Sequence, residues 1–206
     1  MEEKKISMAV IRRMPRYYSY VNELYEEGTA RISSGALAAK MGLTASQVRQ
    51  DFNCFGGFGQ QGYGYNVENL RASIREILKV DQNHKAVIIG AGNLGRALMT
   101  NFNFTSCGFA LIGAFDVIPE LEGTSIAGVP VYSMDKLTPF IEDHKPDIAI
   151  LTLPRAAARD MAEKLCTMGI RGIWNFTNVD LHLDGLDVPV ENVHFAESLM
   201  TLSYRI

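Results

Sequence analysis

Apolar and polar positions change their period several times along this chain, and the changes divide it. From Met8 to Glu27 the period is helical: Pro15 suits a first turn, and Tyr18, Val21, Leu24 and Tyr25 recur at helical spacing. Ile32 to Phe52 splits into two short helical pieces. A serine caps the alanine-rich first piece, Gly42 supplies the left-handed residue of a tight turn, and Thr44 caps the second. In that second piece Val48, Phe52 and Phe55 share the side that faces a core, while Ser46, Arg49, Gln50 and Asn53 line the other. Residues 55–65 hold five glycines among four aromatics, a composition that suits a two-stranded wing. Asn66 caps a helix through Leu70, Ile74, Ile77 and Leu78, and Asp81-Gln82-Asn83-His84 forms a polar linker.

Beyond the linker, short apolar runs alternate with helical stretches. Lys85–Ile89, Ala110–Asp116, Ile148–Leu151 and Gly172–Phe176 read as buried strands. Leu94–Phe104, a stretch capped by Ser133 and running to Asp143, and one that starts at Pro154 and passes Ala162, Leu165 and Met168 read as helices; residues 120–131 read as a loop with small strands. The alternation predicts an α/β fold with a Rossmann-like, doubly wound parallel sheet. Residues 193–204 read as a terminal helix whose stripe of Phe195, Leu199 and Leu202, with Met200 alongside, needs a partner surface; a second copy of the chain would supply one. The expected organisation is a winged helix-turn-helix DNA-binding domain over residues 1-80, a nucleotide-binding domain over 85-192 and a C-terminal helix over 193-206.

Composition narrows the class. No apolar run approaches the ~18–20 residues that cross a bilayer, and Met1-Glu2-Glu3-Lys4-Lys5 is followed by no signal core, so a cytoplasmic protein with no membrane partner is expected. Cys54, Cys107 and Cys166 form no C-x-x-C pair, which argues against a disulfide frame and against a metal site. The net charge of −3 conceals an asymmetry: residues 1–80 carry 11 Lys and Arg against 8 Asp and Glu, the remainder 9 against 15. A basic beginning on an acidic body fits nucleic-acid contact at one end.

Two groups of residues carry candidate chemistry. Gly90-Ala91-Gly92-Asn93-Leu94-Gly95 follows a strand and opens a helix at the spacing G-x-G-x-x-G. Gly90 permits the turn, Gly92 lets a pyrophosphate approach the backbone, and Gly95 lets helix and strand pack closely. Asp116, 26 residues after Gly90, ends the second strand where a carboxylate can hold ribose hydroxyls. Val117 follows it in place of Arg or Lys, which favours NAD+/NADH over the 2′-phosphorylated cofactor. Thr152, Leu153, Pro154, Asn175 and Phe176 lie at other strand ends, where such sheets bind ligands. The second group is expected on DNA. Arg12, Arg13 and Arg16, beside Tyr17, place cations at a helix start, where an external anion such as a phosphate is favoured. Ser33, Ser34, Thr44, Ser46, Gln47, Arg49, Gln50 and Asn53 belong to the helix-turn-helix, and its second helix offers Arg to guanine and Gln and Asn to adenine. Gln60, Gln61 and Tyr63 lie on the wing, which reaches the backbone or minor groove.

The order of parts, together with Pro15-Arg16-Tyr17-Tyr18, Thr44-Ala45-Ser46-Gln47-Val48-Arg49, Gly62-Tyr63-Gly64-Tyr65, the glycine loop, Phe115-Asp116 and Asn175-Phe176, resembles the Rex family of redox-sensing transcriptional repressors over essentially the whole chain. The resemblance implies a homodimer with a swapped C-terminal helix, bound to a palindromic double-stranded operator while NAD+ prevails and released by NADH, so that genes of NADH reoxidation are controlled. It also implies that Phe195 approaches the nicotinamide site of the other subunit. The chain departs from the family at Ser19, Asn101 and His194, which stand where Arg, Tyr and Asp often form a polar link, and at Gln50, Gln60 and Gln61, which stand where basic residues are common. Fewer cations predict a shallower salt dependence of DNA binding. Two other functions fit the residues alone. One is an NAD-dependent oxidoreductase with an accessory DNA-binding domain, although His84, His144, His182 and His194 have no evident placement as a proton donor and no substrate domain follows residue 180. The other is a constitutive DNA-binding module whose Rossmann part takes another nucleotide, such as coenzyme A.

Overall fold

The computed structural model describes residues 6–58, 63–183, 185 and 187–206. The chain forms two compact units, Met1–Asp81 and Gln82–Ile206.

In the first unit the helical stretch is divided into α1 (Met8–Ile11) and α2 (Met14–Glu26). Pro15 causes the break: it has no N–H for the Ile11 carbonyl, and its ring would clash there, so it is confined to a first turn. Then come β1 (Arg31–Ile32), α3 (Ser34–Met41), α4 (Ala45–Asn53), β2 (Tyr65–Asn66) and α5 (Val67–Leu78). The side chains of Ser33, Thr44 and Asn66 accept the amides of Ala36, Gln47 and Asn69, so each of these three starts its helix as the sequence predicts. Gly42 closes α3 at φ 67° and sets the turn into α4. Met14, Tyr17, Val21, Leu37, Val48, Phe52, Leu70 and Ile74 are buried together, with the Phe52 ring 4.8 Å from Tyr17 and 5.2 Å from both Phe58 and Tyr65. The expected wing falls partly on residues 59–62, which lie outside the described residues. Tyr65 pairs antiparallel with Ile32, ahead of the helix-turn-helix, and among the described residues no strand lies within 55–64. Gln60 and Gln61 lie outside the described residues.

The second unit carries β3 (His84–Ile89), α6 (Asn93–Asn101), β4 (Phe109–Asp116), β5 (Ser125–Ile126), β6 (Val129–Ser133), α7 (Leu137–His144), β7 (Ile148–Leu151), α8 (Ala158–Thr167), β8 (Gly172–Asn175), β9 (Val190–Asn192) and α9 (Phe195–Tyr204). Its strand order is β5-β6-β4-β3-β7-β8-β9, parallel throughout except for β5. Alternation along the strands feeds two cores. Val87, Ile89, Phe115 and Leu151 face Leu137, Ala162 and Leu165 on one side; Ala86, Ile88, Ala114 and Ile150 face Met99 and Phe104 on the other. The strand order reverses at β3, between β4 and β7, and a sheet of this kind opens a crevice there at its carboxyl edge. Ser133 does not cap α7 with its side chain. Its hydroxyl bonds the Asp135 carboxylate, and a single 3-10 turn precedes the helix.

Candidate functional site

The crevice is built from the turns after β3, β4 and β7. Gly90 sits at φ 104°, and its amide donates to the Phe115 carbonyl at 2.8 Å. A Cβ there would stand 2.7 Å from the Thr152 carbonyl oxygen, and a Cβ on Gly95 would stand 2.1 Å from that of Gly90, so both positions are closed by backbone. Gly92 is the opposite case: nothing lies within 4 Å of its hypothetical Cβ. It is also the N-cap of α6 and supplies no side chain to the first amides, so the N–H groups of Asn93, Leu94 and Gly95 end the helix without an acceptor along its axis. Open space above a glycine, against a helix start of partial positive charge, fits a diphosphate.

Side chains from the neighbouring strands fix this loop. Asp116 is buried, and its Oδ2 accepts the Ala91 amide at 2.5 Å while Oδ1 accepts the Ile118 amide at 2.9 Å. Each oxygen keeps one lone pair for ribose hydroxyls. The Thr152 hydroxyl donates to the Gly90 carbonyl at 2.6 Å. Val117 is 81% exposed at the lip, Leu153 is half-buried and Pro154 is exposed. Arg96, which the pattern reading passed over because it stands outside the motif, bonds the Ala91 carbonyl through Nε at 3.1 Å and brings a cation to the same turn.

Asn175 requires a correction. Its Nδ2 donates to the Val179 carbonyl and to Asn192 Oδ1, both at 2.7 Å, and its Oδ1 accepts the Thr177 amide and hydroxyl at 3.0 and 2.7 Å. All four hydrogen-bonding positions are used and the residue is 1% exposed, so the side chain organises the loop after β8 and keeps no polar position for a ligand. Phe176 does remain at the surface of the unit. Its ring lies 4.6 Å from Trp174 and 6.0 Å from Phe195, which is 61% exposed. His194, just before Phe195, pairs with Asp180 at 2.9 Å.

In the first unit α4 shows the two faces expected. Val48 and Phe52 are buried; Ser46, Arg49, Gln50 and Asn53 are exposed. Arg49 bonds the Ser34 hydroxyl at 3.0 Å, which joins α3 to the exposed face of α4. Ser33 and Thr44 are exposed caps whose hydroxyl protons remain available, Arg12 and Arg16 are exposed, and Tyr63 is 72% exposed with its carbonyl held by Arg31. Three expected DNA contacts are corrected. Tyr17 is fully buried and its hydroxyl donates to Asp51 at 2.9 Å. Arg13 donates to the two oxygens of the same carboxylate, each at 2.7 Å. Gln47 is half-buried and its amide donates to Asp51 at 2.9 Å. These groups are pulled inward by a carboxylate that the pattern reading missed. A signal was available: Asp51, three residues after Val48, flanks the apolar arc of Val48 and Phe52, where a charge needs partners.

Burial pushes the Asp51 carboxyl up, but the hydrogen bonds from Arg13, Gln47 and Tyr17 and the guanidinium charge outweigh it and hold the group below its ordinary value. The Tyr17 phenol is pushed well above its ordinary value, by burial first and then by its bond to Asp51.

A nucleotide-binding α/β unit in the same chain as a helix-turn-helix unit defines a ligand-responsive DNA-binding protein. Family models agree part by part: residues 81–179 match a CoA binding domain, and residues 5–53 match a putative DNA-binding protein N-terminus. The redox-sensing transcriptional repressor Rex of Caldicellulosiruptor bescii is 50% identical over 205 residues, covering all of this chain and 94% of that protein. Rex of Clostridium novyi is 50% identical over 208 residues, covering all of this chain and 98% of that one. Among solved structures, RSP in complex with NAD+ and operator DNA superposes with a TM-score of 0.91 at 50% identity, covering 97% of this chain and 92% of that one. RSP in complex with NADH gives 0.89 at 46% identity, covering 98% and 94%. The chain belongs to the Rex family of redox-sensing transcriptional repressors, and its relatives over its full length are repressors rather than enzymes.

Proposed function

We propose that this protein represses transcription by holding a palindromic operator while NAD+ prevails and leaving it when NADH accumulates. The observation that carries the reading is the glycine cradle: two positions closed by backbone, one open, facing a helix start with no side-chain cap. Gly92, Asn93, Leu94 and Gly95 would hold the diphosphate through backbone amides, with Arg96 beside them, and Asp116 would take the ribose hydroxyls. A nicotinamide held there supplies a ring that is positively charged when oxidised and neutral when reduced. The cradle treats both forms alike, so discrimination falls to the aromatic end at Phe176 and Phe195, where a neutral ring is the easier one to bury. A ligand moves a conformational equilibrium only by its different affinity for two states, and a coupling of about 1–3 kcal/mol gives a switch of about 5–150-fold.

The DNA contacts would come from Ser46, Arg49, Gln50 and Asn53 on α4, from Arg12, Arg16, Ser33 and Thr44 at phosphates, and from Tyr63 on the wing. Two copies joined through α9, with that helix swapped, would place their α4 helices about 34–36 Å apart, in successive major grooves. Among the described residues no helix is long and apolar enough to cross a membrane, and a repressor of this kind works in the cytoplasm. The test is operator affinity at fixed salt in NAD+ and in NADH. Weaker binding in NADH is expected, and equal affinities would sink the sensor. Coenzyme A as a competitor separates the remaining nucleotide reading: it should fail to displace NADH.

A further inference from the structure

We propose that Asp51 is a positioning residue for DNA recognition: it sets the angle at which α4 presents its reading face, and it withdraws Gln47 from that face. The inference rests on the reading of α4 as the helix that meets DNA. The carboxylate is 1% exposed and receives four donors, two on each oxygen. Oδ1 takes Arg13 Nη2 at 2.7 Å and Gln47 Nε2 at 2.9 Å; Oδ2 takes Arg13 Nε at 2.7 Å and the Tyr17 hydroxyl at 2.9 Å. Every lone pair is satisfied, and among the described residues no buried side-chain polar atom lacks a partner.

The donors come from two places. Gln47 is one turn earlier on α4 itself. Arg13 and Tyr17 are at the start of α2, 38 and 34 residues away in sequence. The Asp51 cluster, with the Tyr17–Phe52 ring contact beside it, therefore fastens one side of α4 to the start of α2. A helix advances about 100° per residue, so a small roll of α4 swings the long side chains of Arg49 and Gln50 off any base edge. Apolar contacts alone tolerate such a roll, because they have no direction. A bidentate guanidinium–carboxylate pair does not tolerate it, because its geometry is planar and fixed. Gln47 lies at the edge between the two faces of α4, where its amide could reach outward. Bound to Asp51 through one amide hydrogen, it is turned toward the core side of the helix, and base reading falls to Ser46, Arg49, Gln50 and Asn53.

The experiment uses the full chain. A duplex is selected by the wild-type chain from a random-sequence pool, and a shuffled duplex of the same length serves as reference. Affinity for both is measured at one salt concentration for the wild type, Asp51→Asn and Tyr17→Phe, with circular dichroism giving the folded fraction of each. Asp51→Asn should lose about tenfold or more on the selected duplex and less than about threefold on the shuffled one, so that preference collapses while phosphate attraction stays. Tyr17→Phe, which keeps the ring in the core and removes one bond, should lose preference in the same direction by less. The proposal is overturned if the folded variants keep the wild-type ratio between the two duplexes. It is also overturned if both affinities fall only in step with the folded fraction. Failure of the wild type to enrich any sequence would instead bring down the DNA-binding reading, and this proposal with it.

Discussion

The Asp116 carboxylate accepts the Ala91 amide at 2.5 Å, which ties the end of β4 to the turn that leaves β3. The residue named for its reach toward a ribose thus also shapes the loop that would hold the diphosphate. Asp116→Ala should weaken NADH binding by about tenfold or more in calorimetry, since a charge-assisted bond and a ligand contact are lost together. The wild type should prefer NADH to NADPH, and the variant should narrow that preference. Undiminished NADH affinity in Asp116→Ala would contradict the assignment.

The three glycines of the cradle should not respond alike to alanine. Gly95→Ala drives a Cβ against the Gly90 carbonyl oxygen, a backbone atom that cannot swing aside, and should lower the melting temperature of the second unit. Gly92→Ala meets open space, so the fold should hold within about 1 kcal/mol while NADH binding is lost. Thermal melts and calorimetry on the two variants separate fold from cradle. Retained binding in Gly92→Ala would place the diphosphate elsewhere.

The Asp51 cluster gives the first unit two pH limits. Asp51 has a folded-state value below its ordinary one, so its contribution is present above the unfolded carboxyl value of about 4 and is lost as pH falls through the folded value. Tyr17 is raised, so its contribution is present below the unfolded phenol value of about 10 and is lost as pH rises toward the folded one. Denaturant midpoints should therefore drop in acid and again in alkali, and Tyr17→Phe should blunt the alkaline drop. An alkaline limb unchanged in that variant would assign it to other groups.

Much of this was legible because it is local. Gly42, Thr44 and Asn66 act within four residues of themselves, and the period of Val48 and Phe52 or of the run Ala86–Ile89 needs no knowledge of the rest of the chain. What escaped was set at a distance. The Arg13 cluster looks like a phosphate site until Asp51, 38 residues on, is brought beside it. Asn175 looks like a strand-end ligand until Thr177, Val179 and Asn192 use its amide. β9 is three residues long and carries no alternation of its own; it exists because β8 offers it an edge.

Trp174 is the sole tryptophan and stands in a row of rings, 5.3 Å from Phe102 and 4.6 Å from Phe176. Its emission should fall on adding NADH, whose reduced ring absorbs where tryptophan emits, and much less on adding NAD+. Trp174→Phe should abolish the signal without abolishing binding. Equal quenching by both forms would mean that the signal does not follow the reduced ring.

Helix α9 leaves Phe195, Leu199, Met200 and Leu202 each more than half exposed in the single chain. Shortening the protein after Val193 should give a solitary species by analytical ultracentrifugation, and an unchanged mass would show that other surfaces join the copies.

If that apolar stripe is hidden only by another molecule of the same kind, abundance enters the response. A cell that makes few copies keeps more of them apart, and a solitary copy grips one half-site with a fraction of the affinity. The cofactor ratio at which genes open would then drift with expression level, so the sensor's set point would be written partly in its own promoter strength.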